Sequence, residues 1–397
     1  MAGMGTARIV LPLFMGVAVA GAHMFLVSPL LPDIADEFAR STSEIGRAAS
    51  AGSLGTAVTA ALAVPVMDRF PRKLILIGAL LALALALGLV AAAPTYATFT
   101  VAFALAGASI GVLLPTTYAM AADLTSAADR SRVLGLVLLG WSASYLIQPL
   151  VSKLGDTTGW RGAYGAVAAV ALLAALLDMT LPARPAAGSG ATLTAYADAL
   201  RLPAVRPLLA SCVCVMFCFY GTYPYWGASY RALHGGDASA ASWLALCYGI
   251  GFILPGTLTG LIGRLSSWRV LIAGYLMSLV VYGALGWVIG SPGTFLVWCV
   301  VLGIVNNIML TALVSSLASI SSERRGSILA IYSATTYLGF TAGAASLGPI
   351  YERYGLGANG LAAAGAMVVA ILFAGIAARA HHAKSRPLAK SANGQIG

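Results

Sequence analysis

A chain of 397 residues that is 59% hydrophobic and only 9% charged, with a mean hydropathy of +0.89, has too little polar surface to fold as a water-soluble globule. Its long continuous apolar runs exclude a transmembrane β-barrel, whose strands are short and alternate, so the composition defines an all-α polytopic membrane protein. The net charge of +10 does not point to nucleic acid, because the cations are scattered among short connections as membrane topology requires.

At about 20 residues per helical span, twelve spans use roughly 240 residues and leave short connections between them. The first apolar run, Ile9 to Leu31, is too long for a signal h-region and lacks a convincing small-residue cleavage site, so it reads as span 1. Spans 2 to 6 follow at about 45–67, 74–93, 97–122, 133–154 and 162–181. From Pro182 to Pro203 the composition turns to Ala, Gly, Ser, Thr and Pro, with one short amphipathic helix near Tyr196 to Leu202, the signature of a linker. Spans 7 to 12 follow at about 206–227, 240–262, 270–290, 294–318, 327–348 and 356–380, before a basic tail. The expected organisation is therefore an N-terminal six-helix bundle over 1–181, a linker over 182–205, a C-terminal bundle over 206–380 and a tail over 381–397. Cys212, Cys214, Cys218, Cys247 and Cys299 all fall inside apolar runs and read as small hydrophobes, with no metal site expected.

Under this threading 17 of the 23 Lys and Arg residues fall on the side of the two termini and 6 on the other. The positive-inside rule then places both termini in the cytoplasm. The halves echo one another. Arg69 and Lys73 before Leu74 have counterparts in Arg264 and Arg269 before Val270, and Asp129-Arg130 matches Glu323-Arg324. Gly140-Trp-Ser-Ala resembles Gly339-Phe-Thr-Ala, and Pro149 to Gly155 parallels Pro349 to Gly355. Four echoes in one order imply two pseudo-symmetric six-helix repeats.

Between spans 2 and 3 the stretch Val64-Pro-Val-Met-Asp-Arg-Phe-Pro-Arg-Lys73 packs four charges into six residues. It resembles the loop Gly-x-Leu-x-Asp-Arg-x-Gly-Arg-Lys of the major facilitator superfamily, with Asp68, Arg69, Arg72 and Lys73 in register and Val64 and Pro71 in place of glycines. Leu146 to Arg161 is similar to the span 5 ending of the drug/proton antiporter and sugar-efflux (arabinose-exporter-like) branch, Gly-x-Pro-Leu-Gly-x-x-x-Gly-x-x-x-Gly-Trp-Arg. Gln148 and Val151 replace two of its glycines, and Phe103 stands where many relatives carry a span 4 arginine. The resemblance implies the major facilitator fold and alternating access. It also implies efflux of small drug-, sugar- or nucleoside-like solutes by proton antiport, from a monomer in the bacterial inner membrane.

Asp68 and Arg72 are at i, i+4 spacing, and Asp123 ends span 4 on the same face, so an acid–base–acid cluster can form there. By the resemblance, these residues with Arg69 and Lys73 form a latch that stabilises the outward-facing state; the alternative is a solvated loop that only sets topology. No acidic residue lies in the middle of a span, and His23 is the one ionisable side chain near a helix centre. Histidine titrates near neutrality, so His23 is the candidate for proton coupling and for substrate contact, against the alternative of a neutral ring bonded to a backbone carbonyl. Asn306 and Asn307 sit in the centre of span 10, where an unpaired amide in hydrocarbon costs several kcal/mol. With Tyr118, Tyr145, Gln148, Tyr220, Tyr223, Tyr248 and Tyr337 they make a candidate substrate-binding lining of hydroxyls, amides and π faces, although any one tyrosine can equally be packing. Gly107-x-x-x-Gly111, Gly256-x-x-x-Gly260 and Gly339-x-x-x-Gly343 read as helix-packing motifs, since no strand precedes them. The spans hold no catalytic constellation and no phosphate loop, so neither an enzyme nor an ATP-driven or cofactor-dependent machine is expected. An importer or uncoupled facilitator of the same fold is the alternative function.

Overall fold

The computed structural model describes residues 6–67, 70–126, 129–183, 193–255 and 266–393. Among them the chain is helical throughout: α1 Thr6–Glu37, α2 Thr42–Met67, α3 Arg72–Ala92, α4 Tyr96–Asp123, α5 Arg130–Leu146, α6 Gln148–Asp178, α7 Leu193–Leu200, α8 Val205–Thr222, α9 Pro224–His234, α10 Ala238–Ile253, α11 Ser267–Gly283, α12 Leu285–Val288, α13 Pro292–Ile320 and α14 Arg325–Asn393. Seven helical stretches are long and apolar enough to cross a bilayer, and three shorter apolar helices join them. The twelve spans are α1 to α4, α5 continued into α6, the second half of α6, α8 with α9, α10, α11 with α12, α13, and the two halves of α14. The linker helix expected near Tyr196 is α7.

Packing repeats between the halves. α1 packs on α5 and α6, α2 on α4, and α3 on α4 and α6; in the second half α8 packs on α14, α10 on α13, and α11 on α13 and α14. Inside the first bundle, Thr56 and Thr59 donate to the carbonyls of Gly107 and Ala108 at 2.9 and 2.8 Å. Two helices that no water can separate are thereby tied through backbone oxygens. Gly339 and Gly343 lie against Val213 and Phe217 of α8 in the same manner. The Gly256 and Gly260 pair lies outside the described residues.

We use "proximal" for the face at which α1 starts and "distal" for the opposite one. Two distal corners consist of one residue each. Gly159 (φ 77°, ψ 164°) turns α6 back on itself, and Gly355 (φ 77°, ψ 179°) does the same in α14. That combination of angles is open essentially to glycine alone. The sequence echo pairs Gly155 with Gly355, and the structure corrects it: Gly155 lies within a helix, buried against Leu30, and Gly159 is the counterpart. The shared basic-x-Gly pattern suggested a register four residues away from the one that backbone geometry imposes. Arg161, two residues past the first corner, donates to the carbonyls of Ala91 and Ala93 at 2.8 and 2.7 Å and so caps the end of α3.

Gly159→Ala or Gly355→Ala should cost roughly 1–3 kcal/mol of stability, because alanine must adopt the glycine-only angles. Gly165→Ala, at a helical site with open space around it, should be neutral or stabilising. Thermal unfolding of the detergent-solubilised variants separates the two; equal melting temperatures for all three would contradict the corner assignment.

Candidate functional site

Proline breaks dictate what happens where the bundles meet. In α1, Pro29 has no N–H to offer the carbonyl of Phe25, and Pro32 has none for Ser28; in span 7, Pro224 breaks α8 from α9. Backbone groups released in this way inside a membrane need other partners. The Phe25 carbonyl finds one across the seam. Tyr223 donates its phenol to it at 2.9 Å, and beside it Tyr220 donates to Met24 O, a carbonyl that no proline releases, at 2.9 Å. Ser28 goes further, donating to Tyr223 O at 2.8 Å and accepting from Gly227 N at 3.2 Å. Those two groups are an i, i+4 pair that would otherwise bond each other, so the Ser28 hydroxyl of one bundle is spliced into the backbone ladder of the other. The helices approach so closely that a Cβ at Gly227 would collide with the Ser28 carbonyl, which is why only glycine fits there.

Charge completes the distal seal. Arg231 grips Asp33 with both terminal nitrogens, at 2.6 and 2.8 Å, and also donates to Pro29 O at 3.1 Å. Asp156 accepts from the Ala238 and Ser239 N–H groups at the start of α10, at 2.9 and 3.2 Å, and Glu352 accepts from Ser43 N at the start of α2, at 3.0 Å. A carboxylate at a helix N-terminus meets both unpaired N–H groups and the positive end of the helix dipole. Asp156 precedes the Gly159 corner by the same interval as Glu352 precedes Gly355, so the two clamps are one device used twice. Asp237, in the connection before α10, is held down to about 2 by the Ala240 N–H and the Ser239 hydroxyl, so it stays ionised beside Lys153, 3.6 Å away.

Proximal to the seal lies a continuous aromatic layer. Phe25 stacks on Tyr145 (centroids 4.2 Å apart) and meets Tyr223 edge-on at 5.3 Å. Tyr145 meets Tyr248 across the seam at 5.1 Å, Phe219 lies 5.1 Å from Tyr248, and Tyr220 stacks on Phe340 at 4.5 Å. Asn306 donates to the Tyr248 hydroxyl at 3.2 Å.

The structure therefore gathers Tyr145, Tyr220, Tyr223, Tyr248 and Asn306 at the seam, but commits the hydroxyls of Tyr220 and Tyr223 to closing it. Gln148, at the α5 to α6 break, is buried with both amide atoms lacking a protein partner. Tyr118 accepts from Trp141 Nε1 at 3.0 Å within the first bundle. Tyr337 packs edge-on against Phe340 at 5.7 Å, and Asn307 is half-buried. His23 is 2% exposed, tilted 4.4 Å from the Phe103 ring, with Nδ1 unpartnered. A small void beside it is lined by Ser53, Thr56, Gly107 and Tyr220. On the proximal face Arg72 pairs with Asp123 and also donates to Ala119 O at 3.3 Å, while Lys73 donates to Met179 O at 2.6 Å. Asp68 and Arg69 lie outside the described residues. The sequence reading missed Ser28, Asp33, Asp156, Arg231 and Glu352. Prolines inside apolar runs were the available signal for the first, and acids placed just before corner glycines for two others.

Residues 13–288 match the Major Facilitator Superfamily. The chain belongs to that superfamily. Its members are membrane-embedded carriers of small molecules and not enzymes, and this chain has the corresponding all-α fold of two six-helix bundles. An uncharacterized MFS-type transporter of Bacillus subtilis strain 168, YwfA, is 29% identical over 370 residues, taking in 90% of this chain and 89% of that protein. The chloramphenicol resistance protein of Streptomyces lividans is 30% identical over 208 residues, 50% of this chain and 53% of its own. Among solved structures, a bacterial homolog of the human lysosomal transporter Spinster, in an inward-facing and unoccupied conformation, superposes with a TM-score of 0.74 at 17% identity, covering 98% of this chain and 99% of that one.

Ser28→Ala should loosen the distal seal of this superfamily member. It leaves the buried Gly227 N–H without its partner, while Tyr223 O keeps the Trp226 N–H at 3.2 Å; the loss is worth about 1–3 kcal/mol and so roughly a 5- to 150-fold rise in the ratio of distally open to closed molecules. Spin labels replacing Asp36 and Leu233, both exposed at the distal end, report that ratio as a distance distribution in lipid. An unchanged distribution would contradict the splice.

Proposed function

We propose that the protein is a secondary active efflux carrier that moves small organic solutes, drug-, sugar- or nucleoside-like, out of the cell by alternating access in exchange for protons. The observation that carries this reading is the composition of the distal seal. It consists of hydrogen bonds and ion pairs that water can replace one by one, lying directly beyond a layer of aromatic rings and amides, so it has the make-up of a gate that opens and closes. The excess of cations on the proximal face makes that face cytoplasmic by the positive-inside rule, with both termini there and the bacterial inner membrane as the location. With the distal gate shut, the structure is then the inward-facing state. Efflux is favoured by the relative associated with chloramphenicol resistance and by a multidrug resistance protein of B. subtilis, 26% identical over 167 residues.

In this reading the carrier works as a monomer, and the unpaired Gln148 amide and the Asn306 and Tyr248 pair offer the cargo its polar contacts. Arg72 and Asp123, paired within the first bundle while the distal gate is shut, form the first bundle's side of the proximal latch, which the second bundle meets when the distal gate opens. His23 is the proton site, its ring facing a small void of the first bundle that Tyr220 of the second closes, and charging or discharging as the gates alternate. An uncoupled facilitator is the second reading, favoured by the lack of a carboxylate in the middle of any described span.

Proteoliposomes with an imposed pH gradient and radiolabelled chloramphenicol as the first probe, followed by a panel of sugars and nucleosides, test the proposal. The wild type should move a probe against its concentration gradient, and His23→Gln should keep downhill flux while losing gradient-driven accumulation at least about tenfold. A His23→Gln carrier that responds fully to the gradient would move the proton site elsewhere. A wild type indifferent to it would replace antiport with facilitated movement.

A further inference from the structure

Outside the seam, a groove of about 550 Å³ runs along the membrane-facing surface of the second bundle at its proximal end, lined by Arg201, Leu202, Pro203, Arg206, Pro207, Ala210, Phe373 and Ile376. Two chemistries meet in it. Its upper edge is cationic. Arg201 follows α7, and Arg206 lies in the first turn of α8, its guanidinium oriented by a 2.6 Å hydrogen bond from Nε to Leu200 O. Arg379 stands one helical turn beyond Ile376 on the same face of span 12. Asp198 pairs with Arg201 at 3.3 Å and with Arg324 at 3.8 Å, so one carboxylate is shared between two arginines and the edge keeps a net positive charge. The lower wall is apolar and faces lipid, with Ile376 54% exposed and Phe373 half-buried.

We infer that this groove is a binding site for an acidic phospholipid of the proximal leaflet, with the headgroup phosphate between Arg201 and Arg206 and an acyl chain laid over Phe373 and Ile376. Depth favours a lipid over a soluble anion. The arginines stand where a helix leaves the hydrocarbon, at headgroup level, and the apolar wall continues from them toward the membrane interior. Charge excludes the chain's own C-terminal stretch as occupant, since Lys384, Arg386 and Lys390 would repel the site. The site joins α7, the hinge between the bundles, to span 12, so an occupied groove tethers the linker to the second bundle. None of this depends on the cargo or on the direction of transport.

Native mass spectrometry of the full chain released from nanodiscs of equal phosphatidylglycerol and phosphatidylcholine tests the assignment. Phosphatidylglycerol should be retained in preference to phosphatidylcholine. The double variant Arg201→Gln, Arg206→Gln should bind it about thirtyfold more weakly, from the attraction typical of two arginines at a membrane surface, with size-exclusion behaviour and thermal unfolding in lipid-free detergent unchanged. Arg201→Lys with Arg206→Lys should keep most of the preference, and Arg130→Gln, an exposed proximal arginine of the other bundle, should keep all of it. Equal retention of both lipids, no loss in the double glutamine variant, or an equal loss in Arg130→Gln would overturn the proposal. So would displacement of the bound lipid by millimolar inorganic phosphate, which would make the groove a simple anion site.

Discussion

A backbone carbonyl or amide without a partner inside a bilayer costs several kcal/mol, and the prolines of spans 1 and 7 create such groups where the two bundles touch. Past the break at Pro224 the Ser28 hydroxyl stands between Tyr223 O, which also takes the Trp226 N–H, and Gly227 N, and the Tyr223 phenol answers the carbonyl that Pro29 leaves open. The closed distal face is in this sense a repaired helix ladder, with the repair supplied by the opposite bundle. When the bundles part, the same groups need water, so opening and hydration are one event. This explains how a seam rich in buried tyrosine and tryptophan can still open: the groups that bind it are polar, few and exchangeable.

Duplication shapes the rest of the seal. The Asp156 clamp on α10 and the Glu352 clamp on α2 occupy matching places before matching glycine corners, so each bundle offers an acid to a helix start of the other. A carboxylate at a helix start contributes about 0.3–1 kcal/mol, a modest amount that suits a contact that must break in every cycle. Asp33 and Arg231 add a two-pronged bond between spans 1 and 7. Because Asp33 follows Pro29 by one turn, the charge pair and the proline-released carbonyl are held by the same stretch of α1, and loosening one loosens the other.

Much of this architecture was legible in the sequence. Apolar length gave the twelve spans, the charge split gave a single face for the short basic connections, and the Arg72 and Asp123 pairing followed from both residues standing at one end of neighbouring helices. The seal was not legible, for definite reasons. Ser28 in an apolar run looks like any small residue that packs helices, and nothing local shows that its partners lie 195 and 199 residues away. Asp33 and Arg231 each look like ordinary residues at a span end until the fold brings them together. The tyrosines were read as lining because hydroxyls inside a membrane suggest cargo, whereas two of them are used on backbone carbonyls. His23 was identified by its rarity, and Phe103, which had stood out only as a departure from a family pattern, proves to be the ring packed against it.

The central claim is that backbone groups at the proline breaks, the Phe25 carbonyl freed by Pro29 first among them, hold the distal face shut by pairing across the seam. A double-mutant cycle between Pro29→Ala and Tyr223→Phe, read as the ratio of open to closed spin-label distances at the distal end in lipid, tests it directly. Pro29→Ala returns an N–H to the Phe25 carbonyl, so the phenol loses its reason to bond there. The account predicts that Tyr223→Phe raises the open fraction about five- to tenfold in the native background and hardly at all in the Pro29→Ala background. Equal shifts in both backgrounds would contradict it.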